Sequence, residues 1–121
     1  MSSLYNNIGG QPAVEAAVDI FYSKVTTDPA IKGFFQSTNM TDQRGKMKKF
    51  LTLLLSGTAK NSDQYMRTSH APLVEKGLND LHFNAVGGHL KETLEELNVP
   101  GQFVDQILGA VESFRDPVLN R

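Results

Sequence analysis

The chain has 121 residues, 40% of them apolar, with 12 basic and 13 acidic side chains and a formal net charge of −1. This is enough for one domain, 1–121, around a single core, and it leaves no charge excess for a polyphosphate, so nucleic acid is not an expected partner. Cysteine is absent, which excludes disulfides, zinc–thiolate sites and iron–sulfur clusters and is compatible with a reducing compartment.

The opening "MSSLYNNIGG" lacks the basic and apolar blocks of a signal peptide. The densest apolar run, "FLTLLL", is far short of the roughly 20 residues that span a bilayer. No membrane partner and a cytoplasmic location are expected. Residues 12–26 place Val14, Ala17, Val18, Phe21, Tyr22 and Val25 on one helical face, with Pro12 suited to the first turn. In "DPAIKGFF", Asp28 is a candidate N-cap and Pro29 a first helical residue for a short helix. Residues 41–55 form a third helical segment whose inward row holds Gln43, Met47, Phe50, Leu51 and Leu54, with "SG" at 56–57 as its stop. The stretch 58–78 is less regular: a short helix through Gln64–Ser69 is possible, but Pro72 argues against a continuous one. Beyond Asn79, a cap, residues 80–97 carry Phe83, Val86, Leu90, Leu94 and Leu97. "NVPG" breaks the chain, residues 102–115 follow with Phe103, Val104, Ile107, Leu108, Val111 and Phe114, and Pro117 ends the run. No segment alternates with period two, so the fold class is all-α, four substantial helices plus short pieces.

The three histidines differ in setting. His82 and His89 lie two turns apart on one helix, separated by about 10.5 Å of rise, too far to share one tetrahedral metal; they read as surface or boundary residues. His70, in "YMRTSHAPLV", lies in an apolar row between Met66 and Leu73. On periodicity alone it reads most simply as a core histidine. One imidazole cannot build a protein-only transition-metal site, but it can hold a haem iron, because the porphyrin supplies four ligands. Phe34, Phe35, Phe50 and Phe83 with Met47, Leu51 and Leu54 would line such a pocket, and Tyr22 and Gln43 are polar members of otherwise apolar faces. No nucleophile–histidine–acid arrangement is evident, and Gly9-Gly10 and Gly87-Gly88 follow no strand, so they are not phosphate loops.

Taken in order, "LYNNIGGQPAVEAAVDIFYSKV…IKGFF…NMTDQRGKMKKFL…YMRTSHAPLV…LHFNAV" resembles the truncated haemoglobins of group I from Leu4 to about Asn120. The resemblance implies a two-over-two helical sandwich around a buried, non-covalent haem b (iron protoporphyrin IX). It makes His70 the proximal iron ligand, Phe35 the ring on the macrocycle, and Tyr22 with Gln43 the catalytic distal donors. Phe34, Met47, Phe50, Leu51, Leu54, Met66, Arg67, Leu73, Phe83 and Val86 complete the implied cofactor contacts. Dioxygen, nitric oxide and carbon monoxide are the implied ligands of a monomer. Two distal donors suit chemistry at bound gas, such as nitric oxide dioxygenation or detoxification of reactive nitrogen, better than bulk oxygen transport. With no flavin or nicotinamide domain, turnover would need an external electron donor or reductase. Three departures stand out. Ser56-Gly57 replaces a glycine pair, Pro72 follows His70 by two, and the tail "SFRDPVLNR" lacks the histidine through which some members attach haem covalently.

Lys46 lies about 70° from the centre of the apolar stripe of its helix. Such an ammonium snorkels to water, pairs with a haem propionate for about 1 kcal/mol or less, or binds iron as the neutral amine. Deprotonating it at pH 7 costs roughly 4.6 kcal/mol from a pKa near 10.4, which the iron bond would have to offset. Ligation by Lys46 would make a gas or redox sensor, in which incoming ligand displaces the lysine, the alternative to an oxygen-binding protein that turns over nitric oxide.

Overall fold

The computed structural model describes residues 4–35, 39–56 and 63–121. These form helices α1 (Leu4–Asn7), α2 (Gly10–Val25), α3 (Met40–Leu55), α4 (Asp63–Glu75), α5 (Asp80–Glu96), α6 (Gly101–Glu112) and α7 (Arg115–Val118), with a 3₁₀ turn at Lys32–Phe35 and no strand among the described residues. The corner between α1 and α2 is made by Gly9 and Gly10, both at positive φ (118° and 71°). A side chain at Gly9 would also meet the Ala13 Cβ at 3.2 Å. That corner needs glycine for the turn and for the close approach.

The helix ends follow local chemistry. Asn39 caps α3 by accepting from the Asp42 N–H, and Asn79 caps α5 by accepting from the Leu81 N–H. His82 reciprocates, its Nδ1 accepting from the Asn79 N–H at 3.1 Å, which closes a capping box. Asp28 Oδ1 accepts from the Ala30 N–H at 2.9 Å, so it does begin a turn, but the turn resolves as 3₁₀ rather than α. α4 and α5 end in Schellman motifs: Leu78 N–H returns to the Leu73 carbonyl and Val99 N–H to the Leu94 carbonyl. The left-handed residues these motifs require are Gly77 and Asn98.

Two prolines act differently from expectation. Pro72 lies inside α4, which runs continuously from Asp63 to Glu75. A proline there removes one hydrogen bond near the end of the helix, a local cost that packing of the rest of α4 overrides. Pro117 does not end α6. That helix stops at Glu112, the chain turns through Ser113–Phe114, and Pro117 sits within α7. Of the expected stop at Ser56-Gly57, Ser56 is the C-cap of α3, while residues 57–62 lie outside the described residues.

α2 packs on α3 and α5, α5 on α6, and α6 on α3, while α4 packs on α7. The result is two helix pairs stacked as a two-over-two sandwich, with α4 and α7 alongside. Val14, Val18 and Val25 of α2, Leu90 of α5 and Ile107 of α6 are almost fully excluded from water in the shared core. Each contributes about 1.5–3 kcal/mol by burial. Among the described residues no helix is long and apolar enough to cross a membrane.

Candidate haem site

The sandwich leaves a cavity of about 460 Å³, within the usual range for small-molecule and cofactor sites. Its wall takes Tyr22 from α2, Phe34 and Phe35 from the 3₁₀ turn, and Gln43, Lys46, Met47, Phe50 and Leu51 from α3. Met66, His70 and Leu73 come from α4, and Phe83 and Val86 from α5. The structure thus gathers into one space residues that are 64 positions apart in the chain.

Two of the residues expected there are elsewhere. Leu54 is 8% exposed but lies in the helix-packing core rather than in the wall, because the inward row of α3 passes the cavity before its last turn. Arg67 is also outside the wall. It lies one residue past Met66, so the turn of α4 carries it off the inward row, and its carbonyl accepts from Asn120 Nδ2 at 3.1 Å.

Conversely, His82 does line the cavity, its ring edge-on to Phe34 at 5.0 Å between centroids. Reading it as a boundary residue missed this. The available signal was its place three residues after the Asn79 cap, which turns it inward beside Phe83. Phe114 and Val118 also join the wall, because the break after α6 folds α7 back over α4, and no periodicity reports such a break. His89 is bound elsewhere: its Nε2–H donates to Asp28 Oδ2 at 2.6 Å, joining α5 to the turn that bears Phe34 and Phe35, while Nδ1 is buried with no partner among the described residues.

The polar chemistry of the cavity is sparse and directional. Gln43 donates its side-chain amide to the Tyr22 phenol oxygen at 3.0 Å. This leaves the phenol hydrogen free to donate into the cavity. Burial pushes the Tyr22 pKa up, against smaller opposing effects of the Gln43 hydrogen bond and the Arg44 charge, so the phenol remains a donor at neutral pH. Tyr22 is further held edge-on by Phe21 and Phe35.

At α4, His70 donates Nδ1–H to the Met66 carbonyl at 2.9 Å. That bond fixes the tautomer and leaves the Nε2 lone pair available to a metal. Burial lowers the His70 pKa, which favours the neutral, ligating form. Among the described residues no three His, Cys, Asp or Glu side chains converge as a metal site. A metal here would have to bring ligands of its own; His82 Nδ1 is taken by the Asn79 N–H, and a large apolar cavity in which His70 offers a ring nitrogen lone pair fits an iron porphyrin.

These features define a helical cofactor-binding protein with one free imidazole and a phenol–amide pair. Residues 3–120 match the family model described as bacterial-like globin. The chain is 45% identical over 125 residues to the group 1 truncated hemoglobin GlbN of Synechocystis, covering the whole of both chains. It is 47% identical over 119 residues to the group 1 truncated hemoglobin LI410 of Chlamydomonas moewusii, covering 98% of this chain and 68% of that protein. The crystal structure of the 2/2 hemoglobin of Synechococcus sp. PCC 7002, in the cyanomet state with covalently attached heme, superposes with a TM-score of 0.92 at 41% identity, covering 99% of this chain and all of the other. The chain belongs to the group I truncated haemoglobins and is a haem globin.

Proposed function

We propose that this globin binds dioxygen reversibly at a non-covalent haem b held by His70 and uses it to convert nitric oxide to nitrate. The overall balance, one nitric oxide and one dioxygen with one electron giving nitrate, needs an external one-electron donor or reductase. Haem, when bound, supplies an iron that takes up dioxygen, nitric oxide or carbon monoxide and passes single electrons. The observation that carries the reading is the free phenol hydrogen of Tyr22, steadied by Gln43, in the same apolar cavity as the free Nε2 of His70.

His70 holds and orients the cofactor through Nε2, because Met66 occupies Nδ1. Phe35, Phe50 and Phe83 exclude water, which strengthens any hydrogen bond made inside. Tyr22 would donate to a bound ligand that gains negative charge, a contribution of about 1.5–3 kcal/mol for a good hydrogen bond to a charged acceptor, while Gln43 steadies the phenol by donating to its oxygen. Strong retention favours turnover at the bound gas over delivery. The non-covalent attachment is supported by the sequence after His89, which contains no further histidine. A monomer is consistent with the small number of exposed large apolar side chains among the described residues, Tyr65 and Leu81.

The second reading is a gas or redox sensor in which Lys46 binds iron until ligand displaces it. It is favoured by the position of Lys46, exposed yet part of the cavity wall, and by Gly45 beside it, where an added Cβ would meet no atom within 4 Å. Visible spectra of ferric and ferrous holoprotein beside His70→Ala and Lys46→Ala separate the cases. Unchanged haem binding in His70→Ala sinks the haem assignment of that residue. A low-spin ferric spectrum that Lys46→Ala makes high-spin supports the sensor, whereas high-spin spectra in both, with rapid nitric oxide turnover, support the enzyme.

A further inference from the structure

We propose that the solvent face of α3 is the docking surface for an acidic one-electron carrier protein. This rests on the haem reading above and specifies, by its chemistry, the donor that reading requires. α3 contains Arg44, Lys46, Lys48 and Lys49 against the single acid Asp42, a formal balance of +3. The whole chain carries 12 basic and 13 acidic residues, so the remainder has 8 against 12, or −4. The positive charge is concentrated on one helix of an otherwise acidic molecule.

At about 100° per residue the row Gln43, Met47, Phe50 and Leu51 faces inward, and the four cations spread over the arc that remains, with Gly45 on its midline. Arg44, Lys46 and Lys49 are exposed and form no ion pair with a described residue. Lys48 reaches Glu15 at 3.8 Å with both side chains more than two-fifths exposed, a contact too long and too wet to neutralise it. By contrast Lys24 is engaged by Glu92 and Glu96, and Arg115 and Arg121 by Asp80.

The inner row of the same helix walls the cavity, and Lys46 belongs both to that wall and to the exposed surface. A carrier protein cannot enter a space of about 460 Å³, so electrons must cross at its edge, and the edge is what the donor has to recognise. Attraction between oppositely charged surfaces raises the rate of encounter and is screened by salt. Haem would bring two carboxylates of its own. Lys46 is the cation nearest the cavity to meet one, which leaves Arg44, Lys48 and Lys49 for the partner. A polyphosphate would also be drawn to these cations, but the net charge of the whole chain opposes it.

The test is stopped-flow reduction of ferric holoprotein by a reduced small acidic ferredoxin, from about 0.01 to about 0.15 M salt. The expected second-order rate falls about tenfold or more across that range. Lys48→Glu/Lys49→Glu should slow low-salt reduction about tenfold, and Lys49→Glu alone, whose side chain has no ion-pair partner to lose, about threefold. Both should converge on the unmodified protein at high salt and react normally with a small neutral reductant. Lys76→Glu/Lys91→Glu, the same charge change off α3, should stay near the unmodified rate. Salt-independent reduction, or equal slowing by both double variants, overturns the docking site and leaves the haem reading standing. A chain that takes up no haem overturns both.

Discussion

Tyr22 is polar at the oxygen and apolar everywhere else, and its surroundings use both properties. Its ring is 2% exposed, packed edge-on against Phe21 and Phe35, and its oxygen already accepts from Gln43. The remaining hydrogen is therefore aimed by packing rather than by a competing acceptor. Tyr22→Phe removes that donor with little change of volume, and dioxygen release should accelerate about 10- to 100-fold, measured by stopped flow. Gln43→Leu should act less strongly, because it loosens the phenol without removing it, and the double variant should fall short of the product of the two. Because burial raises the phenol pKa above its ordinary value of 10.0, the donor persists through about pH 9, a unit below that value, and the release rate should stay flat up to that pH. An acceleration below it, absent from Tyr22→Phe, would show that the phenol ionises in the ordinary range.

Among the helices, α3 does the most with the fewest residues. One side presents the inward row to the cavity, and the other holds the cations. Gly45 stands at the middle of that outer side, where an added Cβ would meet nothing within 4 Å and φ is not positive. Glycine in a helix interior costs about 0.5–1 kcal/mol relative to alanine. Gly45→Ala should therefore stabilise the apoprotein by about that amount in urea unfolding, with an unchanged denaturant slope. A destabilised variant would show that the segment needs a conformation other than the continuous helix. α4 carries a larger local cost at Pro72, about 3 kcal/mol for a proline inside a helix, and its interior position shows that tertiary packing decides where a marginal helix ends.

At the scale of the molecule, the C-terminus closes the wall that holds Phe114 and Val118. Arg115 and Arg121 both reach Asp80 at the start of α5, with N···O distances of 3.0 and 2.7 Å. Arg115 also lies over the Phe83 ring at 4.5 Å, and Asn120 donates to the Arg67 carbonyl on α4, the helix of His70. The tail is a clasp joining three sides of the cavity. Asp80→Asn should speed haem loss to a scavenger apoglobin a few-fold, whereas Glu92→Gln, which weakens an ion pair remote from that wall, should not. The Arg121 and Arg115 hydrogen bonds hold the Asp80 carboxyl below its ordinary 3.8. A lowered carboxylate pKa contributes fully above the unfolded value and is lost as pH falls through the folded one. The difference between Asp80→Asn and the unmodified protein should thus be constant above about pH 5 and disappear only as pH falls through the folded value, which lies below 3.8. A difference that persists in stronger acid would exclude the clasp as its source.

The sequence by itself determined the helical class, the inward rows of α2, α3 and α5, and the gathering of Tyr22, Gln43 and His70 as the polar members of apolar faces. Those features follow from a 3.6-residue period and from caps such as Asn79, which act over a few residues. Aiming His70 through the Met66 carbonyl one turn earlier and turning His82 inward from the Asn79 cap are local in the same way, whereas pairing Tyr22 with Gln43 across 21 residues was decided by tertiary structure. So were the exclusion of Leu54 and Arg67 from the wall, the helical Pro72 and the return of α7. In each of these a residue answers to a neighbour on another helix, and packing free energy summed over a core outweighs the single hydrogen bond or local propensity on which a linear reading rests.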